Sequence, residues 1–489
     1  MSLFKIGEYF PPYGHSERVD RYRKNKRLFK GDHYAIFNRT NLLDDYQQHA
    51  VFIASNLPGT IAKKSADFLF GETPVFSAGN ADDSNEQKAI ERLVEDNDLN
   101  ITNYESALSN AYRGDSFYKI RWGQKYGGLL PEANDPFRVF IDAQKAEYVF
   151  PESLPGDTTT IFAYHIAYPS VVEGTGDMEW VLNVESHYPG KIEYSKYLIS
   201  PFKHSSYENE VIEWKIQEEI YSARRTVSTG VNHPLVVHIP NFATDDEWEG
   251  IDDLSENESL FAEIDNRLSK IAEILDKHSD PAMAVPAGTL GEDAQGNPIF
   301  QASRDKIFEV MDKGEIMPQY ITWNGHLEAA FKELEVLVDH LLTVSELPPV
   351  ALGKADSGTS GSSGLSIRWR MNSLLAKINR KRQYYNKGLK RVLLIAQLLE
   401  HAKLEKSKLN YEITVPRIQF KDGLPDDDME QATIAQIRTG GKPIQSQLTA
   451  IQETLGLSAK QAQVELERIR QEEREDSFVD ASVFNRGDE

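Results

Sequence analysis

Residues 326–400 constrain this chain more than any other stretch, because they read as helix, loop and helix in succession. In the first helix Leu327, Phe331, Leu334, Val338 and Leu341 recur at helical spacing, with Glu328, Lys332, Glu333 and Asp339 outside the stripe. Such a stripe demands a packing partner. The helix must stop at Leu347-Pro348-Pro349, since proline disfavours the helical region for its predecessor and has no amide to continue the ladder. The loop that follows, 350–364, holds four glycines and few apolar side chains. Its backbone entropy is high and it has little to bury, so it is expected to be mobile. A second, longer helix then begins at residue 365 or 366.

Between residues 366 and 391 that helix carries nine basic residues and no acid: Arg368, Arg370, Lys377, Arg380, Lys381, Arg382, Lys387, Lys390 and Arg391. The whole chain has a formal charge of -22, so the remainder carries -31. A self-repelling helix in so acidic a chain needs acids to face, and those of a neighbouring subunit are the expected partners.

At 489 residues the chain exceeds one ordinary core, and two to four sub-regions are expected. It contains no cysteine, which excludes disulfides, thiolate metal sites and cysteine nucleophiles. Residues 1–10 lack a long apolar core and a small-residue cleavage site, and nowhere do about 18 apolar residues run together. A soluble protein made in the cytoplasm, with no membrane contact, is the expectation. Strong acidity argues against wrapping DNA by phosphate neutralisation, which needs a lysine or arginine at each contact. It does not exclude DNA passing close by.

Along the chain, residues 16–30 read as a basic helix, with Arg18, Arg21, Arg23, Lys24, Lys26, Arg27 and Lys30, whose charged face is expected in solvent. Residues 56–70 read as a helix closed by Gly71 and stopped by Pro74. Segments 84–95 and 101–113 are further amphipathic helices, and Gly114-Asp115 turns the chain into an alternating strand at 116–122. To about residue 240 the texture is β-rich, with short runs at 138–141, 148–150, 160–168, 180–187, 192–199, 211–218 and 235–239. An acidic loop follows, with Asp245, Asp246, Glu247, Glu249, Asp252 and Asp253. In 255–277, Leu260, Phe261, Ile264, Leu268, Ile271, Ile274 and Leu275 make the natural companion of the helix at 326. The intervening 280–325 is rich in glycine and proline and predicts a small excursion with a hairpin centred on Gly296-Asn297. After the basic helix, 411–420 alternates as a strand, Pro425 and Asp426 to Asp428 open a helix closed by Gly440-Gly441, and Ser458 with Gln461 caps a last helix over 459–474. The tail 475–489 is expected to be disordered.

Candidate chemistry is sparse. Gly358, Gly361 and Gly364 precede a helix, yet Gly364 is followed by Leu365-Ser366 where a phosphate loop requires lysine and a hydroxyl, so the lysine is missing, and no strand comes before them as a dinucleotide fold needs. Ser360, Ser362 and Ser363 have no strand-elbow context for a nucleophile. Asp426 to Asp428 suit a helix cap better than a metal. The twelve histidines never fall at ligand spacing. No catalytic residue, metal site or cofactor is assigned.

Four groups of residues, in this order and spacing, resemble one known family. They are Asn56-Leu57-Pro58-Gly59-Thr60 through Gly71-Glu72-Thr73-Pro74; Gly114-Asp115-Ser116-Phe117-Tyr118-Lys119; Leu347-Pro348-Pro349 through Gly364-Leu365-Ser366 with the basic helix; and Leu424-Pro425-Asp426 through Glu465-Leu466-Glu467-Arg468-Ile469. The chain resembles the portal proteins of tailed bacteriophages, in particular those of siphophages of Gram-positive hosts. The resemblance implies an α+β, helix-rich portal fold: an N-terminal wing region with a β-rich subdomain (1–254), a stem helix (255–279), a clip (280–325), a second stem helix (326–347), a tunnel loop (348–364), a long wing helix and strand (365–425), and a helical crown with an acidic tail (426–489).

It implies a dodecameric homo-oligomeric ring at one capsid vertex of the virion, through which double-stranded DNA is packaged and ejected. The partners would be the terminase large subunit, the head-completion adaptor, the major capsid protein and the scaffolding protein. Val350, Leu352, Lys354, Gly358, Gly361 and Gly364 would then lie near the DNA. Ile264, Leu268, Ile271, Phe331, Leu334 and Leu341 would pack the stem, and Arg368, Arg370, Lys377, Arg380, Lys381 and Arg382 would serve subunit contacts.

The charge suits a channel. At about 10 Å two unit charges in water interact by roughly 0.4 kcal/mol, and physiological salt cuts this to about a third. Acidic walls therefore repel each phosphate weakly and offer no deep wells, whereas a basic lining would hold phosphates one by one. Two other readings remain: an enzyme using the Gly/Ser loop, and a ring-forming or scaffolding virion protein without a DNA channel.

Overall fold

The long basic helix lies in the core. A computed structural model describes residues 3–39, 52–79, 84–173, 178–204, 211–279, 283–286, 307–310, 319–320, 327–354, 364–405, 407, 409–421, 428–440, 443–455 and 459–484. From the N-terminus run β1 (Tyr9–Phe10), α1 (Tyr13–Lys30), α2 (His33–Arg39), α3 (Leu57–Phe70), β2 (Val75–Ser77), α4 (Asn85–Asp96) and α5 (Leu99–Arg113). The strands β3 (Asp115–Gly123), β4 (Arg138–Gln144), β5 (Val149–Leu154), β6 (Asp157–Glu173), β7 (Met178–Tyr188), β8 (Lys191–His204), β9 (Val211–Glu219), β10 (Arg225–Ser228) and β11 (Val236–Pro240) follow. Helix α6 (Glu258–Ser279), strands β12 (Met283–Pro286), β13 (Ile307–Val310) and β14 (Gln319–Tyr320), and helix α7 (Leu327–Val344) come next. The chain ends with α8 (Gly364–Arg370), α9 (Asn372–Lys403), β15 (Arg417–Gln419), α10 (Asp428–Thr439), α11 (Gln447–Leu455) and α12 (Ala459–Phe484). The class is α+β, as expected.

Local chemistry sets several boundaries. The Asn56 side chain accepts the Gly59 amide at 3.1 Å and Pro58 occupies the first turn of α3, so that helix starts where its free amides are answered. Ser84 caps α4 through the Gln87 amide at 3.1 Å. Gly114 ends α5 at φ 91°, and a Cβ there would stand 2.4 Å from the Gly250 carbonyl. Two backbones cross at that point, and only glycine fits.

Strands β5 to β9 form an antiparallel sheet in the order β1-β9-β8-β7-β6-β5, with β10 paired to β8. One face carries Phe150, Leu182, Val184, Ile199, Trp214 and Ile216 onto Phe10 and Val19, the alternation of a half-buried sheet. A second sheet, β11-β3-β4, lies against α9. From α9, Leu374, Ile378, Tyr385, Leu389, Val392, Leu393 and Leu399 are buried, and each buried aliphatic stabilises by roughly 1.5 to 3 kcal/mol before entropy. A Cβ on Gly388 would lie 2.4 Å from Ile239 Cδ1, so the helix touches β11 closely.

Several expectations need correction. The basic run is two helices, α8 and α9, parted at Met371. The face of α1 is not solvated: Arg18, Val19, Tyr22, Asn25 and Leu28 are buried, and Arg21 and Lys24 reach Glu249 and Glu258 at 3.0 and 2.6 Å. Gly71 stays right-handed at φ -62°, so α3 has no left-handed cap. The hairpin expected at Gly296-Asn297 lies outside the described residues; on either side of it β12 pairs with β13 in parallel. Only 417–419 of the strand expected at 411–420 pairs, with β2. Helix α12 continues to Phe484, through a stretch without proline or glycine to stop it.

Candidate channel segment and the joint that mounts it

Helices α6 and α7 pack along the two stripes read in the sequence. Ile264, Ile271 and Leu341 are buried, while Leu268 and Leu334 are half-buried. Phe331, further along α7, is 49 % exposed. Arg267 links the pair through Glu333 at 3.0 Å and its own-helix Glu263 at 2.8 Å. The packed stripe is thus deepest at the inner end of the pair and opens outward.

After α7 the backbone reverses sharply. Glu346 takes φ 55°, the Leu347 amide returns to the Leu342 carbonyl at 2.9 Å, and Leu347 is buried. Pro349–Leu352 then forms a 3-10 turn capped by Gly353 at φ 71°. The first part of the expected mobile loop is therefore ordered: Val350 and Leu352 are half-buried against the main core. Lys354 is exposed beside a groove of about 580 Å³ lined by Phe331, Leu334, Val338, Asp339 and Pro349. Gly358 and Gly361 fall outside the described residues, and Gly364 begins α8.

The mounting of this segment was not foreseen. Asp253 sits just before α6 and is buried; Lys381 reaches it at 2.5 Å, Lys377 at 3.3 Å, Ser65 of α3 at 2.8 Å and Asn241 at 3.1 Å. Lys377 also donates to the carbonyl of Ser345, the residue after α7's last turn, at 3.1 Å. One pair of lysines a helical turn apart therefore holds the start of α6 and the end of α7 together. Burial alone would raise the Asp253 carboxyl, but the two ammonium groups and their hydrogen bonds outweigh it and hold the carboxyl well below the usual range. Burial pushes Lys381 down to about 8, against the pull of Asp253.

The base of the pair is braced further. Arg380 pairs with Glu346, and Arg382 donates to the carbonyls of Phe68 and Lys421. The Asp252 carboxylate takes the amides of Leu254 and Ser255 at 2.8 and 2.7 Å. Nearby, Asp115 accepts from the Tyr22 hydroxyl, from His238 at 2.6 Å and from the Gly250 amide at 2.8 Å.

Of the six cations expected to face a neighbour, Lys377, Arg380, Lys381 and Arg382 find their partners inside the subunit. The apolar stems of the buried Lys377, Lys381 and Arg382 lie along the core while their charged ends reach fixed acceptors, and the exposed Arg380 pairs with Glu346 at the surface. Arg368 is exposed, Arg370 is half-buried, and Lys387 and Arg391 are exposed on α9. A signal was present in the sequence: Lys377 and Lys381 fall at helical spacing among Leu374, Ile378 and Tyr385, on the apolar side.

With that geometry in view, the comparison with known families is specific. The chain matches the family described as "Phage portal protein, SPP1 Gp6-like" over residues 11–149 and 188–477. It belongs to the phage portal protein family. The match includes α6, α7, the segment between them and both lysines of the joint, and it omits 150–187, which carries most of β5, β6 and β7. No curated protein matches the chain. Portal proteins are structural head-tail connectors and not enzymes, and membership implies a homo-oligomeric ring and a place at a capsid vertex of the virion. Among the described residues no helix is long and apolar enough to cross a membrane, and no three His, Asp or Glu side chains gather as a metal site.

Proposed function

We propose that the chain is the subunit of a portal ring through which double-stranded DNA is packaged and later ejected. The observation that carries this reading is a family match that runs unbroken from β8 to α12. Helices α6 and α7 form the stem, and 280–325 is the clip that meets the terminase large subunit and later the head-completion adaptor. The β5 to β9 sheet and α9 form the wing, and 426–489 the crown, in a ring of twelve set among the major capsid and scaffolding proteins.

The tunnel loop is 348–364. Because Val350 and Leu352 are half-buried in their own subunit, the groups nearest the DNA are Lys354 and the residues after it, Gly358, Gly361 and Gly364 among them. The net charge of -22 suits a channel wall that repels phosphates weakly and binds none of them deeply. ATP hydrolysis then belongs to a separate terminase subunit.

Electron micrographs of the purified protein test this reading. Rings with a central hole wide enough for duplex DNA are the expected result. Closed discs or open polymers would overturn it in favour of a virion scaffold without a channel.

A further inference from the structure

One cleft in the seven-stranded sheet carries charge that meets no acid among the described residues. Strands β6, β7 and β8 and the 221–225 turn enclose about 540 Å³, lined among others by Tyr168, Asn183, Tyr194, Lys196, Arg224 and Arg225. The Arg225 guanidinium lies 4.3 Å from the centre of the Tyr194 ring. Glu185, also in the lining, is already engaged by Lys119 at 2.6 Å and His187 at 3.0 Å. Lys196, Arg224 and Arg225 are exposed, and among the described residues none of them forms an ion pair.

The complementary charge is on a different part of the chain. Of the acids that follow β11, Glu249 meets Arg21, Asp252 holds two amides and Asp253 meets the two lysines. Asp245, Asp246 and Glu247 are left exposed and, among the described residues, in no ion pair. Their loop has a fixed position: Thr158 donates to the Asp246 carbonyl at 2.5 Å, and the Trp248 amide donates to the Thr158 carbonyl at 3.2 Å.

Thr158 and Tyr168 both belong to β6, and at about 3.3 Å per residue they stand roughly 30 Å apart. That is several Debye lengths at physiological salt, so loop and cleft do not neutralise one another within a subunit. A closed ring is built of head-to-tail contacts, in which one patch of a subunit meets a different patch of the next. We propose that the cleft of Lys196, Arg224 and Arg225 receives the acidic 245–247 loop of the neighbouring subunit. The inference rests on the ring proposed above. Tyr168, Asn183, Val184 and Glu185 of the lining fall in 150–187, outside the family match, whereas Lys196, Arg224, Arg225 and the 245–247 loop fall inside it.

Because the chain has no cysteine, an introduced pair is the only one present. Full-length protein carrying Arg224→Cys and Asp246→Cys, oxidised and run under denaturing conditions, should give a ladder of covalent multimers, while each single variant gives at most a dimer. In a second arm, Arg224→Glu with Arg225→Glu should shift ring dissociation to lower salt, and adding Asp245→Arg and Glu247→Arg should restore it. Intact rings in micrographs with no ladder and no rescue would overturn this contact and leave the portal reading standing, as would rescue of the cleft variant only by another virion protein. Absence of rings from the unmodified protein would overturn both.

Discussion

The Lys381 ammonium lies 2.5 Å from the Asp253 carboxylate, and each side chain is 1 % exposed. Removing one partner of such a pair leaves the other as an uncompensated buried charge. Asp253→Ala should therefore cost about 3 to 5 kcal/mol, the range for breaking a buried pair. Denaturant unfolding checks this, and a loss below about 1 kcal/mol would mean that water reaches the site.

The stripe shared by α6 and α7 makes a graded prediction. Ile264 is buried and Leu334 half-buried, so Ile264→Asp should cost several kcal/mol and Leu334→Asp less in the isolated subunit. Glu333→Ala removes one partially exposed pair with Arg267 and should change stability by about 0 to 1 kcal/mol. Equal losses from all three, measured by thermal unfolding, would contradict the packing described.

Strands β6 to β9 were legible because their residues alternate, and α6 and α7 because apolar side chains recur at helical spacing. The sequence places Arg18 in solvent and Lys377 and Lys381 at a subunit contact, yet all three are buried against acceptors of their own subunit. Nothing local indicates that Lys381 will meet Asp253, which is 128 residues away along the chain. The tertiary pairing alone decides whether a lysine on an apolar stripe is solvated or buried. The same limit hid the ordered turn at Pro349–Leu352, whose apolar contacts come from the distant core.

Acid should loosen the seven-stranded sheet. Burial is the largest cause lowering His15, to about 3, with Arg18 and His165 adding to it; burial also lowers His165 and His187. Unfolded, these rings take protons near their ordinary 6.5, whereas folded they resist. The stability they contribute is therefore present above pH 6.5 and is lost as pH falls through the window toward the depressed values. The thermal midpoint should drop between about pH 6.5 and 4, and His15→Phe should flatten that slope. A pH-independent midpoint would refute the assignment.

Lys354 is exposed, and the sequence of 348–364 pairs this one cation with one anion, Asp356. Lys354→Ala should leave packaged DNA length and packaging rate little changed. Gly358→Ala with Gly361→Ala narrows the backbone choices open to the loop and should impair packaging without preventing ring assembly. Normal packaging by the double variant, with failure of Lys354→Ala, would show that the positive charge matters and the glycines do not.

Asp253 and Ser345 are bound by the same Lys377 ammonium, so the bases of α6 and α7 share a buried anchor on α9, which Lys381 and the Arg380–Glu346 pair on the same helix reinforce. A force applied at the far end of the pair arrives as torque on α9, whose buried length lies against α3 and the β11-β3-β4 sheet. The turn at Pro349–Leu352 begins four residues beyond Ser345 and rides on the same lever. Tilting the helix pair and displacing the start of the loop are thus a single mechanical coordinate.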